Sequence, residues 1–170
     1  NHAITVTGHC NVGTAGTLTC NASTCQFGSL EVTNSGSATM NFSSGTTTID
    51  CSTAGDDTWS TSFGTSATVN TNGGTVKFAK TDSGTRYINM NENHPLHNVI
   101  VDTNYDLPFA GQFNTTGYLD IQDGTLKSYG GSSDMVISGD LTVGNGTDAA
   151  RLEYTSDANG FHNQSFGSVT

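Results

Sequence analysis

One short hydrophobic pattern recurs along the chain: two apolar residues flank a single residue of different character, and Gly, Asn, Asp or Ser follows. It reads Leu30-Glu31-Val32, Met40-Asn41-Phe42, Val76-Lys77-Phe78 and Ile88-Asn89-Met90, then Leu119-Asp120-Ile121, Leu141-Thr142-Val143 and Leu152-Glu153-Tyr154. Side chains alternate between the faces of a strand, so each unit buries its outer pair and exposes its middle residue. The stretches "NVIVD" (98–102) and "DMVIS" (134–138) are variants with an apolar middle. No window carries apolar residues at i, i+3, i+4 and i+7 over the length a stable helix needs, so the chain is predicted to be all-β.

Strands this short do not readily build a two-layer sandwich. They suit a solenoid, in which the inner residues of one coil stack on those of the next. Between the units lie turn signals such as "NTNGG", "QDGT" and "YGGSSD", which supply residues able to take positive φ. The units start at irregular intervals, which predicts a wide β-helix with variable turns rather than a thin β-roll of fixed repeat. One longer echo, "QFGSLEVT" at 26–33 and "SFGSVT" at 165–170, hints at a second module beginning like the first.

The segments "LDIQDGTLKSYGG" and "DMVISGDLTVGNGT" resemble the right-handed parallel β-helix (β-solenoid) repeats of large secreted surface proteins and adhesins. The resemblance is clear over 112–155, extends over 27–102 and is absent over the Cys-rich start of the chain. It implies a solenoid and is almost silent on activity, because such folds host adhesins, fibre shafts, lyases and hydrolases alike. No catalytic motif of those enzymes matches a position here.

Composition sharpens this picture. Thr, Ser, Asn and Gly supply 83 of the 170 residues, while eight Phe, five Tyr and one Trp argue against disorder in so polar a chain. A net charge of −10, with five scattered Lys and Arg, speaks against nucleic acid and anionic membranes as partners. No apolar stretch is long enough to cross a membrane as a helix, so membrane insertion is not expected.

Four cysteines, Cys10, Cys20, Cys25 and Cys51, crowd the first third. In a Lys-poor, Thr- and Asn-rich chain they are expected to form disulfides in an oxidising compartment, with three pairings open. Zinc is the alternative, helped by His9 beside Cys10, but no CxxC spacing supports it. Five N-x-S/T sequons, at Asn21, Asn41, Asn114, Asn145 and Asn163, are glycosylation candidates and agree with secretion. The layout predicted is one domain over 1–170, with a Cys-rich cap at 1–26 and coils at 27–170, cut from a longer chain.

Candidate chemistry is sparse. His94 and His97 form the HxxH of "NENHPLHNVIVD", but Pro95 disfavours a helix that would bring both rings together. On an extended chain residues three apart face opposite sides, so a corner leading into the strand at 99–101 is the simpler reading. Glycoside hydrolysis needs two carboxyl groups about 5–10 Å apart. Asp120 with Asp123, Asp102 with Asp106, or Asp140 with a residue of a neighbouring coil are the candidates, each also at home in a turn. Oxygen-rich loops at Asp56-Asp57, 81–85 and 143–148 offer donors for Ca2+, without an EF-hand or GGxGxD pattern. No other cofactor is expected. Trp59, Tyr105, Tyr118 and Tyr129 are candidates for stacking on glycans. Thr-x-Thr pairs at Thr5/Thr7, Thr17/Thr19 and Thr46/Thr48 raise ice binding. The step from Thr17 to Thr46 is far longer than that from Thr5 to Thr17, and this irregularity counts against it.

The expectation is therefore a non-enzymatic, extracellular or cell-surface structural or adhesive module of a fibre, filament or adhesin. Its predicted partners are further coils, other copies of itself, or glycans. A carbohydrate-binding or polysaccharide-cleaving β-helix domain is the alternative.

Overall fold

The computed structural model describes residues 3–21, 24–33, 37–51, 59–79, 87–90, 94–129, 133–144, 146, 149–153 and 164–169. For 59–62, 164–166, 168 and 169 the description covers the backbone alone. Fourteen strands follow one another: β1 (Ile4–Val12), β2 (Thr17–Thr19), β3 (Cys25–Val32), β4 (Thr39–Asn41), β5 (Thr46–Ile49), β6 (Trp59–Phe63) and β7 (Thr68–Asn70). Then come β8 (Thr75–Phe78), β9 (Tyr87–Met90), β10 (Asn98–Thr115), β11 (Leu119–Ser128), β12 (Asp134–Val143), β13 (Ala150–Glu153) and β14 (Gln164–Val169). The described residues contain no helix, and all the strand pairings among them are parallel. The fold is a parallel β-solenoid.

The rung pattern explains why. Ile4, Cys25, Thr47, Val76, Val99, Leu119 and Leu141 follow one another in register, with Val6, Phe27, Ile49, Phe78, Val101, Ile121 and Val143 as a second column two residues on. Between them an outward column runs Thr5, Gln26, Thr48, Lys77, Ile100, Asp120 and Thr142. Further stations pair β3 with β6, β6 with β9 and β9 with β10, and pair β10 through β11 to β13. A separate three-stranded sheet stacks β2, β4 and β7. Phe27, Ile49, Phe78, Val99, Val101, Leu119 and Ile121 are all at 0% exposure. Burying each such side chain is worth about 1.5–3 kcal/mol, and this continuous core stabilises the stack. Inner residues of the first coil, Ile4, Val6, Cys10 and Leu18, are only partly buried, as are Val143 and Leu152. The variants "NVIVD" and "DMVIS" follow the same rule, with Ile100 and Val136 turned outward and half-buried.

Some corners require the absence of a side chain, and others a left-handed backbone. Gly74 sits so close to the preceding coil that a Cβ would overlap the Ser43 carbonyl oxygen, and a Cβ on Gly139 would lie 2.7 Å from the Gly117 oxygen. Asn72 and Gly73, at φ of 50° and 71°, supply the left-handed conformations of the turn before β8. The "QFGS" and "SFGS" echo occupies different stations: Phe27 pairs with Ile49, whereas Phe166 pairs with Ile137 in another part of the stack.

The cysteine expectation requires correction. No disulfide joins Cys10, Cys20, Cys25 and Cys51, and their pairs do not lie at disulfide distance. Cys25 is a fully buried rung between Ile4 and Thr47, Cys10 stacks on Leu30, and Cys20 and Cys51 are buried where strands end. Each behaves as a small core residue. Their thiols sit against backbone oxygens, Cys25 Sγ 4.0 Å from Cys20 O and Cys51 Sγ 3.7 Å from Ile49 O. Burial, then a hydrogen bond with the Cys25 thiol and the charges of Cys25 and Cys10, push the Cys20 thiol far up, and burial raises Cys10. Such thiols are poor nucleophiles at neutral pH. What holds the first coils is the apolar stack.

Candidate functional site

The richest polar geometry lies where β10 passes β11. Asp102 and Asp123 stand in register on adjacent coils, followed by Asp106 opposite Thr125. The chain bulges between Asp102 and Asp106, where Thr103 turns inward and donates its hydroxyl to Tyr105 O at 2.7 Å. Gly124, at φ 75°, packs on that bulge so tightly that a Cβ would meet Thr103 and the Tyr105 oxygen. Two ion pairs bracket it: Lys77 with Asp102, and Lys127 with Asp106. Asp123 Oδ1 accepts the Gly124 N–H at 2.7 Å, and Asp120 Oδ2 accepts from Gln122 Nε2 at 2.7 Å. Tyr105 projects from the bulge at 42% exposure.

Asp102 and Asp123 are the carboxylate pair that sequence spacing missed. Their separation along the chain equals that of Ile4 and Cys25, so the coil length was the signal that could have found them. The predicted couples Asp120/Asp123 and Asp102/Asp106 lie along single strands instead, and Asp140 stands in register with Ser168. Asp102, Asp106, Asp120 and Asp123 are each already ion-paired or hydrogen-bonded, so the arrangement is a fixed polar ladder. It can accept hydroxyl hydrogen bonds and keep the surface hydrated.

The histidines diverge. His94 is buried at 4% exposure, its Nε2 2.8 Å from Gly64 O and its ring edge-on to Phe63. His97 is on the outer side, with Nδ1 3.0 Å from Thr116 Oγ1. Among the described residues no three His, Cys, Asp or Glu side chains converge as a metal site would require. Of the Ca2+ loops, Asp56, Asp57 and 81–85 lie outside the described residues, as do Asn145, Thr147 and Asp148 of the third.

The aromatic candidates separate as well. Tyr129 is 51% exposed and packs on Tyr87, a residue sequence reasoning passed over, with ring centroids 4.2 Å apart. The hydrogen bond between these two phenols, then burial, raises the pKa of Tyr87 above its ordinary value. Tyr118 is half-buried, its hydroxyl 3.4 Å from Thr75 Oγ1, and the side chain of Trp59 is outside the description. Of the sequons, Asn21 is exposed in a turn at φ 50°. Asn41 is tied into a side-chain ladder, and Asn114 holds its amide against Gln112 with a buried Oδ1. Asn145 and Asn163 lie outside the described residues.

At the N-terminal coils, His9 Nδ1 is 2.8 Å from Ser29 Oγ and its Nε2 is 3.3 Å from Glu31 Oε2. The order of groups is that of a serine hydrolase, but Ser29 is at 0% exposure and closed to a substrate. The cluster is a polar brace between β1 and β3. No protein-family model matches the chain, and neither a curated protein nor a solved structure matches it.

Proposed function

We propose that the chain is a structural or adhesive module outside the cell, a segment of a surface fibre, filament or adhesin. The observation that carries this reading is the unbroken register of the inner columns, Ile4 to Leu141 and Val6 to Val143. Such a core grows along an axis instead of closing on itself, so length and stiffness are what the fold supplies. With disulfides gone, support for an oxidising compartment rests on the hydroxyl- and amide-rich surface and the resemblance of the rungs to secreted solenoids. Protease shaving of intact producing cells tests the reading. Peptides of this chain are expected in the released fraction, and their recovery only after lysis refutes it.

A carbohydrate-binding role is the second reading, favoured by the exposed Tyr105 and by Tyr129 packed at a tilt against Tyr87. Aromatic faces beside carboxylates suit sugar rings. Binding on a glycan array that Tyr129→Ala abolishes and Asp120→Asn preserves supports it; a blank array at millimolar ligand refutes it.

A further inference from the structure

We propose that the uncharged sheet of β2, β4 and β7 binds the surface of ice. This goes beyond the structural role. The three strands carry Thr17-Leu18-Thr19, Thr39-Met40-Asn41 and Thr68-Val69-Asn70 in strict register. Their outward residues form two parallel ranks, Thr17–Thr39–Thr68 and Thr19–Asn41–Asn70. Neighbouring strands lie about 4.8 Å apart and alternate residues about 6.7 Å apart along a strand. The ranks therefore form a rectangular mesh of the same scale as the oxygen repeats on a face of ice.

The mesh is held rigid. Asn70 Nδ2 donates to Asn41 Oδ1 at 2.7 Å, and Asn41 Nδ2 donates to Thr19 Oγ1 at 3.0 Å. β-branched Thr has little χ1 freedom. Backbone bonds extend the register past both ends of the strands: Thr39 N to Gly16 O and Thr68 N to Ala38 O, each at 2.8 Å, then Cys20 N to Asn41 O at 2.9 Å and Phe42 N to Asn70 O at 2.8 Å. Side chains held by such bonds, or restricted at χ1, lose little entropy on meeting an ordered lattice.

The strands of this sheet carry no charged residue. Of all the Asp, Glu, Lys and Arg side chains, only Glu31, Asp50, Asp56 and Asp57 precede Lys77, and none lies in 10–30, 32–49 or 58–76. The three strands fall within those runs. Charged groups hold their own hydration shells tightly and disorder an adjoining lattice, whereas hydroxyls and amides can be built into it. A neutral face on a chain of net charge −10 fits a neutral crystal.

The three Thr-x-Thr pairs do not share one sheet. Thr5/Thr7 lie on β1 and Thr46/Thr48 on β5, both in the larger sheet; Thr17/Thr19 instead align with Thr39/Asn41 and Thr68/Asn70. The coil from Thr39 to Thr68 is longer than the one from Thr17 to Thr39, and the corners absorb the difference.

The test is partition of the purified chain into a slowly growing single ice crystal, with recrystallisation inhibition alongside. The native chain is expected to be enriched in the ice fraction. Thr39→Tyr, which breaks the middle of the mesh, and Thr68→Lys, at a more exposed position, should each lower enrichment at least tenfold, while Thr48→Tyr on the larger sheet should not. Far-UV melting curves establish that each variant is folded. Exclusion of the native chain from ice, equal enrichment of native and Thr68→Lys chains, or retention on microcrystalline cellulose with exclusion from ice overturns the proposal.

Discussion

Thr47→Val is expected to stabilise the solenoid. Thr47 is an inner rung at 0% exposure, stacked between Cys25 and Val76, and its hydroxyl is buried with no hydrogen-bond partner. An unsatisfied buried hydroxyl costs about 1–3 kcal/mol relative to water. Valine has nearly the same shape, keeps the β-branch a strand favours, and puts a methyl where the hydroxyl was. Taking the lower part of that range, because a neighbouring carbonyl can offer partial compensation, the gain is about 1–2 kcal/mol. For a chain of this size that corresponds to a rise in Tm of roughly 2–8 °C. Urea unfolding followed by circular dichroism reads it as a higher midpoint at constant slope. Thr47→Ser keeps the polar group and deletes the methyl, so it should fall below the native chain. A lower midpoint for Thr47→Val would show that the hydroxyl has a partner and would refute the argument.

Gly74→Ala should destabilise by about 1–3 kcal/mol or prevent folding, since the added carbon meets the Ser43 carbonyl across the coil; thermal melts beside the open position Gly8→Ala check it. Intact mass without reductant should correspond to four thiols, with Cys10 alkylated first and Cys20, Cys25 and Cys51 only after denaturant, and a mass lower by two or four hydrogens contradicts this. Tyr87 has a folded-state pKa above its unfolded value, so its contribution to stability is complete below the unfolded value and is lost as pH rises through the folded one. Phenolate absorbance should therefore show one tyrosine titrating late, and Tyr129→Phe should move it back toward the ordinary tyrosine range.

Much of the architecture was legible because strand periodicity is local. Val76-Lys77-Phe78 and Leu119-Asp120-Ile121 each declare two buried residues and one outward residue without reference to anything distant, and both are built that way. The site was less legible. That His94 turns in and His97 out follows from their separation on an extended chain, but the partners Gly64 O and Thr116 come from other coils. The cysteines misled because crowding in sequence says nothing about distance across a coil: Cys10 and Cys25 occupy different columns of the core.

By itself, then, the sequence determined the β class, the inward and outward positions of most rungs and the variable turns of a solenoid, since all of these depend on a two-residue alternation and on turn chemistry. Only the tertiary structure decided which rungs are neighbours. Successive levels of the first column are unequally spaced along the chain, closest from Val99 to Leu119 and widest from Thr47 to Val76. The corners take up the difference without disturbing the stack, so contacts one coil away are decoupled from any fixed spacing. That decoupling placed Asp102 beside Asp123, set Cys10 and Cys25 in different columns, and aligned Thr17, Thr39 and Thr68 on one sheet.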